Sequence, residues 1–204
     1  MTRAVARQLI MDRLGKRTGL DTQVNSEISL SQSLLEGGEP LPWFLRTNTS
    51  SINLSSGSQS YDLPSDFLRE DEDNRMRLLL AESRPHLERN DLEFLESSVD
   101  LYGTGQPTHY AISGLKLYVF KTPDATYSTR FYYYKSDTVL VSDIENLWLK
   151  YVPDLLIAET GLRMASFLRD ANMVQLFTSE RNEAFSRMVQ RNAAYSSFSS
   201  EVGG

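Results

Sequence analysis

Apolar residues recur at helical spacing near both ends of the chain and at strand spacing in its middle. A first helix is predicted over residues 2–14, with its apolar side at Ala6, Leu9, Ile10 and Leu14. A second is predicted from Asp21 to Leu35, with its apolar side at Val24, Ile28, Ser31 and Leu35. Gly37-Gly38 and Pro40 then end the helical pattern.

The middle of the chain has the composition of β structure. Strands are predicted near Ser60, over 115–120 and over 127–135, and Ser113-Gly114 has the composition of a tight hairpin turn. Successive strands joined by short turns predict an antiparallel meander. One interruption is expected, a helix over 87–99, where Leu92 and Leu95 lie among acidic residues.

The helical period returns at Asn146, which can cap a first turn. Pro153 then either kinks this helix or opens the next one. The segment 153–168 is apolar on two sides, as expected of a helix at the centre of a bundle. A last helix is predicted over 173–194, and a Ser/Gly-rich tail follows.

These elements predict an α+β fold in three parts. Residues 1–42 and 146–194 form a helical bundle, and residues 43–145 form an antiparallel β-rich insertion within it. Residues 195–204 form a flexible C-terminal tail, because they have too few apolar groups to fold alone.

The amino-acid composition excludes or disfavours several classes of function for this protein. The chain of 204 residues has no cysteine, which excludes disulfides and thiolate chemistry. Arg3, Arg7 and Asp12 interrupt the first apolar stretch, so neither a signal peptide nor a membrane anchor is expected. A net charge of −6 disfavours nucleic-acid recognition, but it suits a surface past which DNA slides without adhering.

Candidate chemistry is sparse. His86 and His109 are the only histidines, and no phosphate-binding loop, metalloprotease motif or nucleophile elbow accompanies them. We therefore expect a protein that is not an enzyme and that has no cofactor and no metal.

Two polar or aromatic runs remain as candidates for interaction. The acidic run Glu70, Asp71, Glu72 and Asp73 is interpreted as a solvated loop or, alternatively, as an acidic rim that repels DNA. Strand alternation places Tyr133 on one face of its strand and Tyr132 and Tyr134 on the other, which favours core packing on one side and a partner interface on the other. Trp43 and Phe44 are either core residues or anchors into a neighbour.

The ordered set of segments resembles the head-to-tail adaptor (connector) proteins of tailed bacteriophages. The resemblance covers nearly the whole chain. It begins with the leading helical pair. The segments that match after this pair are, in order, Pro42-Trp-Phe-Leu, Tyr61-Asp-Leu-Pro-Ser-Asp-Phe-Leu, Gly105-Gln-Pro-Thr-His-Tyr-Ala-Ile-Ser-Gly, Tyr132-Tyr-Tyr, Asn146-Leu-Trp-Leu-Lys-Tyr-Val-Pro-Asp-Leu-Leu and Phe167-Leu-Arg-Asp.

This resemblance implies a structural subunit of the virion, made in the host cytoplasm and located at the head–tail junction. It implies a ring of twelve copies that contacts the portal protein on one side and the tail or nozzle protein on the other. Genomic DNA would pass through the ring without specific binding, and no membrane would be involved. In this picture Tyr195 and Phe198 of the tail are the expected anchors on the portal.

Two alternatives stay open from the sequence. One is a tail-completion or terminator subunit, a class that is usually hexameric. The other is a single-stranded nucleic-acid-binding module, which would use the tyrosine strand and the basic N-terminal residues Arg3, Arg7, Arg13, Lys16 and Arg17.

Overall fold

The computed structural model of the protein describes residues 1–49, 52–98, 102–140 and 143–201, with side chains up to residue 195 in the last range. The chain divides into two compact units, one made of Met1–Leu45 and Ser136–Gly204 and the other of Arg46–Lys135. The first unit is helical and the second is built from β-sheets, so the predicted α+β class is confirmed.

The helical unit contains five α-helices and a short 3₁₀ helix, and one further α-helix belongs to the β unit, counted over the described residues. The α-helices are α1 (Arg3–Arg13), α2 (Asp21–Glu36), α3 (Leu92–Ser97, in the β unit), α4 (Leu147–Tyr151), α5 (Pro153–Phe167) and α6 (Ala171–Glu201), and the 3₁₀ helix is Trp43–Leu45.

Local sequence signals set the helix boundaries. The side chain of Thr2 accepts a hydrogen bond from the Val5 N–H at the start of α1. Asn146 does the same for Leu149 at the start of α4, at 3.0 Å, as predicted. Pro153 opens α5 at its first turn rather than kinking a longer helix, which decides between the two alternatives.

Helix α5 is the centre of the helical unit. It packs against α1, α2, α4 and α6, in agreement with its apolar character on two sides. The buried positions of α5 are Leu155, Leu156, Ile157, Ala158, Thr160, Gly161, Met164 and Ala165.

Two details of the helical prediction are wrong. Leu9, predicted on the buried side of α1, is 39% exposed, and Met11 is buried instead. Helix α6 runs to Glu201 rather than ending at Ala194, because extending a formed helix requires no new nucleation. The flexibility of residues 195–204 stays a prediction.

The β unit has two sheets. In the first, the long strand β9 (Tyr127–Lys135) pairs antiparallel with four short strands, β1 (Arg46–Thr49), β2 (Asn53–Leu54), β4 (Phe67–Glu70) and β5 (Arg77–Leu78). In the second, the order is β3 (Ser60–Asp62), β8 (Lys116–Phe120), β7 (His109–Ser113) and β6 (Glu88–Arg89).

The predicted meander is wrong beyond its first hairpin. Strands β7 and β8 form the expected hairpin at Gly114, but β8 and β9 belong to different sheets. Their inner faces meet in a common core, where Leu117 and Val119 of β8 join Phe131 and Tyr133 of β9. Consecutive strands therefore contribute facing layers of the core and do not pair edge to edge.

The predicted helix over 87–99 is reduced to α3. Glu88 and Arg89 instead form β6, which pairs parallel with β7. The physical reason lies in Leu87, which is 1% exposed in the β core and whose N–H donates to the Met76 carbonyl oxygen at 2.9 Å. Burial of this side chain and sheet hydrogen bonding override the helical pattern.

Candidate functional site

Five aromatic side chains gather in the helical unit where the 3₁₀ helix meets α4 and α6. We call Trp43, Phe44, Trp148, Tyr151 and Tyr195 the aromatic cluster. Trp43 stacks on Tyr195 with ring centroids 4.9 Å apart, and Phe44 stacks on Tyr151 at 5.2 Å. Phe44 also meets the edge of Trp148 at 5.3 Å. Each such pair adds about 0.5–1.5 kcal/mol beyond its area burial.

Backbone-directed hydrogen bonds hold α6 against this cluster. The Trp43 N–H donates to the side-chain oxygen of Asn192 at 2.9 Å, and the Asn192 amide nitrogen donates to the Leu41 carbonyl oxygen at 2.9 Å. The adjacent Arg191 donates to the Tyr151 carbonyl oxygen at 3.1 Å. The C-terminal part of α6 is therefore fixed to the segment that follows the first helical pair.

The cluster unites residues that the sequence analysis treated separately. Trp43 and Phe44, predicted as core or interface residues, are half-buried, and Tyr195, predicted as a portal anchor, is 55% exposed. The side chain of Phe198 lies outside the described residues. That Tyr195 packs on Trp43 was missed, because no local pattern connects positions so far apart in sequence.

A buried polar network beside the cluster was also missed, apart from its Asn146 cap. The Asp137 carboxylate accepts from the Leu147 N–H at 2.6 Å, at the start of α4. The Asn146 amide donates to the side-chain oxygen of Gln32 at 3.0 Å, and the indole N–H of Trp148 donates to Glu36 at 2.9 Å. The network joins α2 to α4 and orients Trp148 for its contact with Phe44.

The three consecutive tyrosines of β9 divide between two faces, as predicted. Tyr133 is 5% exposed and lies in the β core, where its hydroxyl donates to Asp66 at 2.9 Å. Burial and the neighbouring Asp66 carboxylate raise the pKa of Tyr133 to about 12. Tyr132 and Tyr134 lie half-buried on the opposite face, so only these two can take part in a partner interface through their rings.

The acidic run is split by burial. Glu70 is 4% exposed, accepts a hydrogen bond from the Tyr110 hydroxyl and pairs with Arg89 at 2.6 Å. Burial raises the pKa of Glu70, against the hydrogen bond from Tyr110 and the charge of Arg89, which lower it. Asp71 is 1% exposed and pairs with Arg46 at 2.5 Å.

The interpretation of the run as a solvated loop or a rim is therefore corrected for two of its four carboxylates. Glu70 and Asp71 are structural counter-ions, since their charges are directed to arginines of the same unit and away from solvent. Glu72 and Asp73 are exposed. The acidic rim stays a prediction for these two residues.

Apolar side chains are exposed in adjacent pairs on the helical unit. Val5 and Leu9 lie four residues apart on α1 and are 49% and 39% exposed, while Leu30 and Leu34 on α2 are 48% and 50% exposed. Residues at this spacing are neighbours on a helix surface. Each pair is thus a short apolar stripe facing solvent.

The two histidines occupy ordinary surroundings. His109 Nε2 lies 3.3 Å from the Glu88 carboxylate across the β6–β7 pair, and His86 is exposed. In the part of the chain that the structure describes, no group of three or more acidic or histidine side chains is arranged to hold a metal ion. No helix there combines the length and the apolarity needed to cross a bilayer.

Comparison with known proteins yields one family. The profile of the family described as "SU10 adaptor protein" matches residues 1–201. A search among curated proteins gives no match.

Proposed function

Because the chain belongs to the SU10 adaptor protein family, a family of phage head–tail adaptors, we propose that it is a structural subunit of a ring between portal and tail. The match over residues 1–201 is the observation that carries this proposal, since it includes both units of the fold. The ring holds twelve copies, lies at the head–tail junction of the virion and surrounds the path of the genome.

Exposed apolar side chains of the helical unit support assembly. The stripes Val5–Leu9 and Leu30–Leu34 leave apolar surface in water in the single chain. In a ring, each copy contacts its neighbours through two different surfaces, and apolar surface is covered at those contacts. We therefore assign these stripes to contacts between copies.

The end of α6 supports portal docking. Tyr195 is held on Trp43, and α6 continues to Glu201. Helix α6 thus continues from a Tyr195 that is fixed in place rather than from a free chain, which lowers the entropy lost on binding. Tyr195 and Phe198 are the proposed anchors on the portal protein.

The charge of the chain supports a passage for DNA. A net charge of −6 in each copy opposes adhesion of the phosphate backbone, and the exposed Glu72 and Asp73 contribute to this charge. A passage of this kind lets the genome move without being held in place.

The proposal is tested by measuring particle mass for the protein alone and mixed with the portal protein of the same phage. We expect a complex with twelve copies of the chain on one portal. Six copies would favour a tail-completion or terminator ring, and a chain that stays monomeric in the mixture and in the virion would contradict the proposal.

The docking role is tested by removing residues 196–204. We expect the shortened chain to keep its thermal unfolding temperature, because the contact of Tyr195 with Trp43 is retained, and to lose portal binding. The full-length variant Phe198→Ser removes a proposed anchor without changing the length of the chain, so a similar loss of portal binding there attributes the effect to the anchor and not to the shortening. Unchanged portal binding by the shortened chain would exclude the tail as the docking element.

A further inference from the structure

Three basic side chains form a row across the first β-sheet. Arg77 of β5 lies directly opposite Arg130 of β9, and on its other side Arg77 forms a bridge with His86. Residues opposite one another in antiparallel strands project from the same face, with Cβ atoms about 4.5–5.5 Å apart. We call His86, Arg77 and Arg130 the basic row.

Among the residues that the structure describes, the two arginines of the row have no counter-ion. Arg46 and Arg89 of the same unit pair with Asp71 and Glu70, but neither Arg77 nor Arg130 forms an ion pair with any residue that the structure describes. The Nε atoms of both Arg77 and Arg130 are also buried, and neither has a hydrogen-bond partner within the described part of the chain. Two partly desolvated like charges facing one another destabilise a sheet, so an arrangement of this kind calls for an anion.

The surroundings of His86 show that the positive potential extends beyond the facing pair. Partial desolvation, then the charge of Arg77 and finally that of Arg75 lower the pKa of His86, although a hydrogen bond with the Arg75 backbone opposes them. The charges that act on this imidazole are thus both arginines, and they disfavour its protonated form.

Hydrogen-bond donors continue the row along β9. Ser128 and Tyr132 flank Arg130 on the same face, because Thr129 and Phe131 between them point into the core. Tyr132 lies opposite Asn48 of β1, and Ser128 and Asn48 are exposed. Hydroxyl, amide and guanidinium groups are those that contact phosphate oxygens in protein–DNA interfaces.

We propose that this face of the first sheet binds the phosphodiester backbone of DNA, with Arg77 and Arg130 sharing one phosphate and Ser128 and Tyr132 contacting the strand on either side. The two non-bridging oxygens of a phosphodiester diverge from a tetrahedral phosphorus, so each can accept from a different guanidinium fork. A line of donors along a strand suits a polymer with repeated charges better than a single acidic side chain.

Such binding goes beyond the proposed adaptor role and does not require the ring. It is independent of base sequence, because every contact is to the backbone. A weak contact of this kind agrees with DNA that moves through a passage, since the acidic remainder of the chain opposes tight adhesion.

The test is the salt dependence of binding to a fluorescently labelled single-stranded oligonucleotide, measured by anisotropy on the isolated protein. The variant Arg77→Gln/Arg130→Gln removes both charges. We expect it to reduce the slope of log K against log salt by about 0.7, because the two arginines share one phosphate contact. The control Lys16→Gln/Arg17→Gln removes two exposed charges from the helical unit and is expected to leave the slope unchanged.

A second variant separates charge from folding. Arg77→Lys/Arg130→Lys keeps both charges, so we expect it to keep most of the salt dependence of binding. The Gln variant is expected to unfold at the same temperature as the wild type or a higher one, because it removes the two facing charges. Equal slopes for the wild type and the Gln variant would overturn the proposal. A Gln variant that loses binding to polyglutamate but keeps its binding to the oligonucleotide would also overturn the proposal. That result would identify an acidic protein as the partner. Portal binding is measured separately, so failure of this inference leaves the adaptor role untouched.

Discussion

The rings of Trp43 and Tyr195 lie nearly parallel, 11° apart, and join the segment after the first helical pair to the last described turns of α6. This contact places a predicted interface residue on a predicted docking residue. An event that displaces Tyr195 would therefore also expose Trp43, so the C-terminal end proposed to dock on the portal is coupled to the aromatic cluster.

The first prediction concerns this stack. Tyr195→Ala removes it, and we expect the free energy of unfolding to fall by about 1 kcal/mol, as for other aromatic pairs. Chemical denaturation measures the change. Tyr102→Ala is the control, because Tyr102 is 56% exposed and donates only to the Glu96 carbonyl oxygen; an equal loss there would show that the stack contributes nothing of its own.

A second prediction concerns the contact of α5 with α6. A Cβ at position 161 would lie 2.6 Å from Cδ1 of Phe177. Alanine would normally favour a helix by about 1 kcal/mol over glycine, but overpacking costs about 1–3 kcal/mol. We expect Gly161→Ala to destabilise the protein in thermal unfolding.

A second substitution that relieves this clash is expected to restore part of the lost stability. Phe177→Leu creates space next to position 161, so the double variant with Gly161→Ala is expected to be more stable than the sum of the two single effects. Additive effects, or a single Gly161→Ala variant that is more stable than the wild type, would show that the helices separate without cost.

The third prediction concerns the start of α4. Asp137→Ala removes the acceptor of the Leu147 and Thr138 N–H groups, bonded at 2.6 and 2.8 Å. Hydrogen bonds to a charged group contribute about 1.5–3 kcal/mol, and we expect a loss of that size in denaturation. Asp143→Ala, at an exposed residue 3.6 Å from Arg3, is the control and is expected to have little effect.

The fourth prediction concerns pH. Burial raises the folded-state pKa of Glu70 above its ordinary value of about 4.3. Between the unfolded and the folded pKa the folded chain binds more protons than the unfolded one, so this group lowers the stability as the pH rises through that window. Unfolding measured across acidic pH is expected to show this component in the wild type.

Glu70→Gln keeps an acceptor for the Tyr110 hydroxyl and removes the titration, so we expect the component to disappear. Glu72→Gln, at an exposed neighbour, is expected to leave it in place. An identical pH profile for the wild type and Glu70→Gln would mean that Arg89 fully compensates the burial of the carboxylate.

The boundaries of α2, α4 and α5 were predictable from the sequence because their determinants are local. The cap at Asn146, the first-turn proline Pro153 and the stop at Gly37-Gly38 act within one turn of the chain. Strand pairing is not local. Nothing in the segment that follows β8 indicates that β9 joins a different sheet, and the parallel pairing of β6 with β7 depends on the burial of Leu87 from outside its own segment.

In the candidate site, too, features set by neighbouring residues were predictable and features set by distant residues were not. The alternation of Tyr132, Tyr133 and Tyr134 was predictable, because it is a property of one strand. The facing of Arg77 and Arg130 was not, because it depends on the register between strands separated by most of the β unit. The burial of Glu70 and Asp71 likewise depends on Arg89 and Arg46, which are distant in sequence.

The order of the two units along the chain has a consequence for synthesis on the ribosome. The β unit is continuous from Arg46 to Lys135, but four of the strands in its first sheet wait for β9, which emerges last. Helices α1 and α2 emerge earlier still, and they cannot bury their apolar sides until α5 has been made. The helical unit is thus completed only near the end of translation, when the β unit between its two halves can already be folded.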